Sequence, residues 1–330
     1  MSDKSIQEKI YEPIEDDLNL VIEEIINESE KVPENASNIE TKLEHVFSAP
    51  GKRIRPAITL LTAGLWGENS TKSIISMAVA VELLHIATLV HDDTVDKADT
   101  RRGHATASNL WGRNIAVLLG DHIFATSAMY VCETGNIRLI KRFAETISEL
   151  AFGELDEILS TWKTNTSISL YNKRIYNKTA TLFCTASLGG AILGGGNDEE
   201  IINLRNYGYN LGMAYQIYDD VLDYTANSET LGKPSGNDLL SGVITLPTII
   251  AYENGSKDLI DKFISSKESI REEMISELIN EINKTGAVEK TKRIADKHIH
   301  ETQKILLSLP NNRNLESLKL LSDYVGTRSY

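Results

Sequence analysis

The chain has few of the residues that interrupt or cross-link a fold. Of its 330 residues, only 7 are proline and 2 are cysteine, Cys132 and Cys184. Two cysteines are too few for a disulfide framework, and their spacing does not fit a metal site. We therefore expect two free thiols in a helical core. With little proline and 41% hydrophobic residues, the sequence favours a helical globular protein that buries a sizeable core.

Basic residues are fewer than acidic ones, with 34 Lys and Arg against 47 Asp and Glu. The formal net charge is −13, which argues against a nucleic-acid-binding protein, because such proteins usually carry a basic face. The N-terminus lacks the basic-then-apolar pattern of a signal peptide. The longest apolar stretch, Leu182 to Leu193, is too short to span a bilayer. These features predict a cytoplasmic protein without stable membrane insertion.

Apolar residues recur with helical periodicity along almost the whole chain, and no strand-like alternation stands out. The predicted helices cover 6–29, 37–47, 56 to about 66, 73–97, 114–132, 137–162, 167–193 and 198–224, with further helices in 243–330 interrupted near Gly255 and Pro310. Ser37 and Glu40 have the spacing of a capping box, and 227–242 is expected to be a loop. We predict an all-α, single-domain bundle of long helices over residues 1–330.

Two aspartate clusters of identical spacing lie near the ends of two predicted long helices. They are Asp92, Asp93 and Asp96 in HDDTVD, and Asp219, Asp220 and Asp223 in YDDVLD. Residues i and i+4 of a helix share a face, so each motif gathers carboxylates that repel one another and require cations. Mg²⁺ prefers a few carboxylates together with substrate phosphates. Two such clusters on facing helices would hold a diphosphate between metal ions.

Basic residues accompany both clusters. They are Lys52, Arg53 and Arg55 in the Gly/Pro-flanked GKRIRP, Arg101 and Arg102 past the first cluster, and Lys178 and Lys233. Loops and first helical turns of this kind suit a phosphate group. The combination predicts a site for two polyphosphates, one bridged by metal ions and one held mainly by Arg and Lys.

Uncharged or weakly basic donors complete the predicted site. His85 lies two helical turns before Asp92 on the same face and is a candidate phosphate contact, whereas His91 is expected to be structural. Thr179 and Gln216 offer further donors. The sequence contains no nucleophile set, P-loop or dinucleotide motif. This favours chemistry in which metal ions and cations draw off pyrophosphate as a leaving group.

Six motifs in this order resemble those of the trans-prenyltransferases, the polyprenyl diphosphate synthases. They are GKRIRP, ELLHIATLVHDDTVDKADTRRG, the Gly120-Asp121 pair, NKTA, YQIYDDVLDY and GKPSGNDL. The resemblance covers nearly the whole chain. It implies an all-α fold around a deep central cavity, a usual homodimer, and Mg²⁺ as cofactor, with three ions per active site. It also implies that isopentenyl diphosphate condenses with an allylic diphosphate, farnesyl or geranylgeranyl.

The resemblance assigns roles to the motif residues. All six clustered aspartates are implied metal ligands, with Asp92, Asp96 and Asp219 foremost. Implied contacts of the allylic diphosphate are Arg101, Lys178, Thr179, Gln216 and Lys233. Implied contacts of isopentenyl diphosphate are Lys52, Arg55, His85 and Arg102, with Arg53 as a helper. The implied catalytic residues are Asp92, Asp96, Arg101, Lys178, Asp219 and Lys233.

Two further features of the sequence bear on whether the chain resembles the short-chain or the longer-chain members of the family. Many members carry Lys after the glycine that precedes TLP, but here Val243 follows Gly242, which we take as a branch marker. Short-chain members place bulky residues just before the first cluster, whereas this chain has Ala87 and Thr88. We therefore expect products longer than C20, with Phe124, Met129 or Tyr130 as candidate floor residues.

Three alternatives stay open at this point. A short-chain geranylgeranyl or farnesyl diphosphate synthase would share the motifs. The chain would also suit the catalytic subunit of a two-component synthase that needs a small partner. A class I terpene cyclase shares the all-α fold, but it would not need the GKRIRP and Arg102 group for a second diphosphate, and it usually lacks a second aspartate cluster of this spacing.

Overall fold

The computed structural model describes residues 3–33, 37–67, 71–164, 167–225 and 236–327. Its helices are α1 (Asp3–Tyr11), α2 (Glu15–Asn27), α3 (Ser37–Phe47), α4 (Ile54–Ala63), α5 (Lys72–Val95), α6 (Ala107–Trp111), α7 (Arg113–Glu133), α8 (Ile137–Ser160), α9 (Ile168–Ile175), α10 (Thr181–Gly194), α11 (Asp198–Thr225), α12 (Asn237–Leu240), α13 (Leu246–Ala251), α14 (Lys257–Ser265), α15 (Glu268–Lys284), α16 (Ala287–Leu306) and α17 (Arg313–Gly326). The predicted all-α class is confirmed.

The structure differs from the predicted elements in several places. The helix expected over 6–29 is divided by a 3₁₀ turn, Glu12–Ile14, because Pro13 has no N–H to donate within a helix. A π-helical turn, Tyr176–Ala180, separates α9 from α10. The expected loop 227–242 contains α12 in its described part. A short hairpin follows the first aspartate cluster. Its strands, β1 (Thr100–Arg101) and β2 (His104–Ala105), have two residues each and are antiparallel.

Contacts between Cα atoms divide the chain into two compact units that interleave in sequence. The first contains the described residues up to Ala144, together with Thr185–Leu204 and Leu309–Leu318. The second contains Glu145–Cys184, Arg205–Ser308 and the described residues from Lys319 onward. The single domain expected from the sequence stays a prediction.

Helix α5 forms the centre of the first unit. It is apolar on all sides, and residues such as Met77, Leu83 and Leu84 have no solvent exposure, as expected of an interior helix. Helices α2, α4 and α7 pack around it. Two pairs set an antiparallel register with α7, because the Ser76 hydroxyl donates to Glu133 at one end and the His91 ring lies over Gly120 at the other.

The packing explains the expected structural role of His91. A Cβ atom at residue 120 would lie 2.2 Å from the His91 Nε2 atom, so the glycine makes room for the ring. The same Nε2 atom lies 3.1 Å from the Val117 carbonyl oxygen and 3.5 Å from Asp121 Oδ1. The Gly120-Asp121 motif therefore seats the last turns of α5 against α7.

Two described helices, Lys72–Val95 and Arg113–Glu133, are long and apolar enough to cross a membrane by length and composition alone. Both helices are longer than the longest apolar stretch identified from the sequence, Leu182 to Leu193. In α5, 72% of the apolar window is buried inside the protein, and the core helix of a globular protein passes the same test. The criterion is therefore weak evidence for a membrane span here.

The two thiols have different surroundings. Cys184 is buried, as expected, but Cys132 is exposed near the end of α7. The expectation of a core position for both was wrong for Cys132, because the apolar residues of α7 do not all turn toward the interior.

Candidate active site

The first aspartate cluster lies in the last turn of α5. Asp93 is only 7% exposed, and Arg101 from the following hairpin holds both of its carboxylate oxygens. Arg101 Nε lies 2.8 Å from Oδ1 and 2.9 Å from Oδ2. Such a charge-assisted pair is strong and fixes both groups. Asp92 is half-buried and Asp96 is exposed, and their i, i+4 spacing places them on one face of the helix end.

Arg53 is held by an ion pair and hydrogen bonds within the protein. It begins α4 in the left-handed region, with φ 49°, and its Nη1 atom lies 2.7 Å from Oε1 of the buried Glu82. Its Nη2 atom donates to the carbonyls of Phe47 and Ala49. These contacts shape the GKRIRP loop, and the helper role of Arg53 in substrate binding stays a prediction.

His85 lies among four arginines. Burial lowers the pKa of its imidazole well below the usual range, and Arg55, Arg102, Arg101 and Arg53 add to this effect in that order. The structure brings the cations of GKRIRP and of the hairpin together, because Arg102 Nη1 donates to the Pro50 carbonyl at 2.5 Å. Arg55 Nε and Lys52 Nζ are both shielded from solvent. So many cations around a neutral imidazole fit a multiply charged anion such as a diphosphate.

We expect acid to destabilise the protein through His85. Because its folded-state pKa is depressed, the unfolded chain binds a proton at higher pH than the folded one. The stability that depends on neutral His85 is therefore complete above about pH 6.5 and is lost as the pH falls below that value, by at most about 1.4 kcal/mol per pH unit. Urea unfolding of wild type and His85→Gln across this range measures it. An equal pH slope in both proteins would contradict the assignment.

The second aspartate cluster lies in the last two turns of α11. Asp220 is 3% exposed. The Tyr171 hydroxyl donates to its Oδ2 at 2.5 Å, and Gln216 Nε2 donates to its Oδ1 at 2.9 Å. Burial raises the pKa of Asp220 to about 7, although the Tyr171 and Gln216 hydrogen bonds oppose the shift. As with Asp93, the second aspartate of the motif is anchored by protein donors.

Asp223 organises the chain that follows the second cluster. Its Oδ1 accepts from the Asn237 N–H at 3.1 Å and its Oδ2 from the Asp238 N–H at 3.2 Å. Asp238 lies beside Asp223, since its N–H donates to that carboxylate. Burial raises the pKa of the Asp238 carboxyl well above the usual range, and Asp223 and Asp220 add to this shift. Asp238, which belongs to the GKPSGNDL motif, therefore lies at the second aspartate cluster. Lys233 lies outside the described residues.

The π-helical turn carries the remaining predicted donors of the second unit. The Lys178 Nζ atom lies 2.6 Å from Glu157 Oε1 and 3.1 Å from Glu154 on α8. The Thr179 hydroxyl donates to Gln216 Oε1 at 2.7 Å. π turns occur frequently at functional sites. Periodicity gave no sign of this turn, because one extra residue hardly changes the apolar pattern.

Gly153 allows the π turn to approach α8. A Cβ atom at residue 153 would lie 2.6 Å from the backbone N of Lys178 and 2.9 Å from its Cα. Backbone atoms cannot yield as a flexible side chain can. Gly153 carries no signal in the sequence, because its partner lies 25 residues farther along the chain and only the packing shows the contact.

Gly153→Ala is therefore expected to displace the turn that carries Lys178. Overpacking of this kind costs about 1–3 kcal/mol of stability, and we expect kcat to fall because Lys178 moves. Denaturant unfolding and steady-state kinetics measure both effects. The matched control is Gly67→Ala, where a Cβ atom meets nothing within 4 Å. Equal effects of the two substitutions would contradict the close approach at Gly153.

The donor chemistry of both clusters fits Mg²⁺. Among the described residues, no group of three or more His, Cys, Asp and Glu side chains is placed to hold one ion by itself. Mg²⁺ is usually bound by one or two carboxylates, with phosphates and water as its other ligands. Asp92 with Asp96, and Asp219 with Asp223, supply hard oxygen ligands of this kind. The arrangement fits an ion that binds together with a diphosphate.

The expected chain-length residues lie along the α5–α7 contact. Ala87 has no solvent exposure, and the Thr88 hydroxyl donates to the His85 carbonyl. From the register of the two helices, Phe124 is about 8 Å from the level of Asp92 and Tyr130 is about 17 Å from it, at 1.5 Å per residue. Met129 is 64% exposed and lines a surface groove.

Tyr130 differs from the other floor candidates in being polar and buried. Its hydroxyl lies 2.5 Å from Glu28 Oε1 and 3.1 Å from Glu24 Oε2 of α2. Lys31 also contacts Glu28. Burial together with these carboxylates raises the pKa of Tyr130 well above the usual range, so the phenol stays neutral. A polar cluster of this kind is a poor environment for a growing hydrocarbon.

Comparison with known proteins identifies the family of the chain. Residues 36–282 match the family model described as polyprenyl synthetase. Heptaprenyl diphosphate synthase component 2 of Geobacillus stearothermophilus is 34% identical, over 97% of this chain and 98% of that protein. The crystal structure of heptaprenyl diphosphate synthase from Staphylococcus aureus has a TM-score of 0.89 and 31% identity, covering 95% of this chain and 98% of that one.

One solved relative was crystallised with ligands. It is a polyprenyl synthase from Caulobacter crescentus CB15 complexed with calcium and isoprenyl diphosphate, with a TM-score of 0.88, 31% identity and 98% coverage of each chain. The chain described here belongs to the polyprenyl synthetase family. The resemblance found in the sequence and the trans-prenyltransferase class are thereby confirmed.

Proposed function

We propose that this enzyme condenses isopentenyl diphosphate with farnesyl or geranylgeranyl diphosphate to make a trans-polyprenyl diphosphate longer than C20. The observation that carries the proposal is the group of cations around His85, which provides a second anion site beside the aspartate cluster. A terpene cyclase, with one diphosphate substrate, has no need of it. Small residues at Ala87 and Thr88, and heptaprenyl synthases among the relatives, support the long-chain product.

In this proposal the substrate contacts are the residues that the family motifs imply. Lys52, Arg55, His85 and Arg102 of the first unit bind the diphosphate of isopentenyl diphosphate. The allylic diphosphate is bound by Arg101, Lys178, Thr179, Gln216 and Lys233. Asp92, Asp96, Asp219 and Asp223 hold Mg²⁺, with three ions per site. When bound, Mg²⁺ neutralises the leaving diphosphate as a Lewis acid.

The bond changes then follow from charge stabilisation. The allylic C–O bond breaks, and its electron pair leaves with the diphosphate, whose charge Arg101 and Lys178 stabilise. The double bond of isopentenyl diphosphate donates its electron pair to the allylic cation and forms the new C–C bond. The resulting cation loses a proton to the departing diphosphate and regains a double bond. The cations around His85 hold isopentenyl diphosphate in place for this attack.

The partner proposed for this chain is a second copy of itself. Exposed apolar residues on α7 support the proposal, since monomers seldom leave such a face uncovered. They are Ile115, Val117, Leu118 and Met129. The name of the Geobacillus stearothermophilus relative, a synthase component, favours one alternative, an active subunit that requires a different small partner. Light scattering of the purified chain distinguishes a homodimer from a monomer that awaits its partner.

The decisive test supplies purified protein with Mg²⁺, radiolabelled isopentenyl diphosphate and farnesyl or geranylgeranyl diphosphate. Dephosphorylated products are then separated by chain length. A ladder that ends beyond C20 supports the proposal, and a ladder that ends at C15 or C20 supports the short-chain alternative. Cyclic product from the allylic substrate alone supports a cyclase. Activity that appears only on addition of a second component supports the two-component alternative.

A further inference from the structure

A chain of three hydrogen bonds joins α9, α11 and the π turn in the second unit. The Tyr171 hydroxyl donates to Asp220 Oδ2 at 2.5 Å. Asp220 Oδ1 accepts from Gln216 Nε2 at 2.9 Å. Gln216 Oε1 in turn accepts from the Thr179 hydroxyl at 2.7 Å. Tyr171 thus lies at one end of a network whose other members belong to the predicted diphosphate and metal site.

When Asp220 is ionised, every hydrogen bond in the network has only one possible direction. A carboxylate can only accept, so Tyr171 and Gln216 must donate to Asp220. Because the Nε2 group of Gln216 donates to Asp220, the Oε1 atom of Gln216 faces Thr179, and the Thr179 hydroxyl must donate to it. A network with a single consistent arrangement orders the side chains that compose it.

The Tyr171 ring is itself held in place. It has no solvent exposure, and the Arg174 guanidinium carbon lies 5.8 Å from the ring centre. Arg174 is fixed by hydrogen bonds from Nη2 to the Ile244 carbonyl at 2.6 Å and from Nη1 to the Ser160 hydroxyl at 3.2 Å. The phenol therefore approaches Asp220 from a rigid position.

We propose that Tyr171 is a positioning residue for the allylic half of the reaction. By fixing Asp220 and, through Gln216, Thr179, it keeps the second aspartate cluster and the π turn that carries Lys178 in one relative geometry. The inference rests on the proposed function. It also gives Asp220 a role as an anchor, parallel to that of Asp93, whose carboxylate is held by Arg101.

Tyr171→Phe tests the inference, because it removes only the hydroxyl. The variant is expected to lower kcat by about ten- to a hundredfold, the effect of losing one hydrogen bond to a charged group. The Mg²⁺ concentration for half-maximal rate should rise severalfold. The KM for isopentenyl diphosphate should stay unchanged, since the proposed contacts of that substrate are in the first unit.

Tyr207→Phe is the matched control. Tyr207 is another tyrosine of the second unit without solvent exposure, and its hydroxyl receives a hydrogen bond from Ser322 at 3.3 Å, which is not part of the Tyr171 network. Both variants lose one buried hydroxyl, and urea unfolding should show that both remain folded, with the larger loss of stability in Tyr171→Phe because its hydrogen bond is to a charged group. Only Tyr171→Phe should change kcat and the Mg²⁺ requirement.

A binding measurement complements the kinetics. Calorimetric titration of a non-hydrolysable allylic thiodiphosphate in the presence of Mg²⁺ should show weaker binding to Tyr171→Phe than to Tyr207→Phe. A double-mutant cycle with Thr179→Val should be non-additive, with the double variant losing less than the product of the single losses, because each change disrupts the same network.

The outcomes separate this inference from the proposed function. If wild-type protein elongates no primer, the proposed function fails. If wild type is active but Tyr171→Phe matches Tyr207→Phe in kcat, Mg²⁺ requirement and analogue binding, the positioning role is overturned. A rise in the KM for isopentenyl diphosphate as large as the loss in kcat would also overturn it, because it would show general damage.

Discussion

Asp92→Asn is expected to lower kcat for elongation by about a thousandfold. The substitution keeps the shape of the side chain but removes the charge that a hard divalent cation requires. A metal ion contributes several kcal/mol to the stabilisation of the leaving group, and each 1.36 kcal/mol is a factor of ten in rate. Asp92 is the natural target, because Asp93 beside it is held by Arg101.

The magnesium dependence makes this result specific. If Asp92 is a metal ligand, the Mg²⁺ concentration for half-maximal rate should rise together with the loss in kcat. Asp198→Asn is the control, because Asp198 is an exposed aspartate whose ion pair with Arg138, at 3.3 Å, contributes little. Its kinetics should match those of wild type. An Asp92→Asn enzyme with activity within tenfold of wild type and an unchanged Mg²⁺ requirement would refute the assignment.

Ala87→Phe is expected to shorten the final product by several isoprene units. Ala87 is fully buried on α5, one and a half turns before Asp92, so a benzyl group there narrows the space that a growing chain would use. The residue lies near the level of Ile123 on α7, well before the polar cluster of Tyr130 and Glu28. Radiolabelled products separated by chain length show the change.

The control for this change is a second substitution at the same position. Ala87→Gly does not narrow the site and should leave the product distribution as in wild type, at a cost of about 1 kcal/mol in helix stability. Overpacking by Phe costs about 1–3 kcal/mol, so unfolding curves must show that both variants are folded. Full-length product from folded Ala87→Phe would exclude the proposed passage.

Much of the fold follows from local sequence signals. The predicted bounds of α3, α7 and α11 agree with the structure to within one residue at each end, because apolar periodicity, capping residues and glycines act over one or two turns. The break at Pro13 has an equally local cause, the missing N–H of proline within a helix. Motif order likewise identified the family and the trans-prenyltransferase class before any geometry was known.

Tertiary structure alone decided how the site residues are used. The sequence contains two aspartate clusters of identical spacing and does not distinguish the aspartates within them. Packing buries Asp93 against Arg101 and Asp220 against Tyr171. The second of these contacts spans 49 residues, and no periodicity or spacing predicts a hydrogen bond over that distance. The close approach at Gly153 is of the same kind. Local signals specify helices and the chemistry they carry, whereas side-chain partners depend on which helix surfaces meet when apolar area is buried.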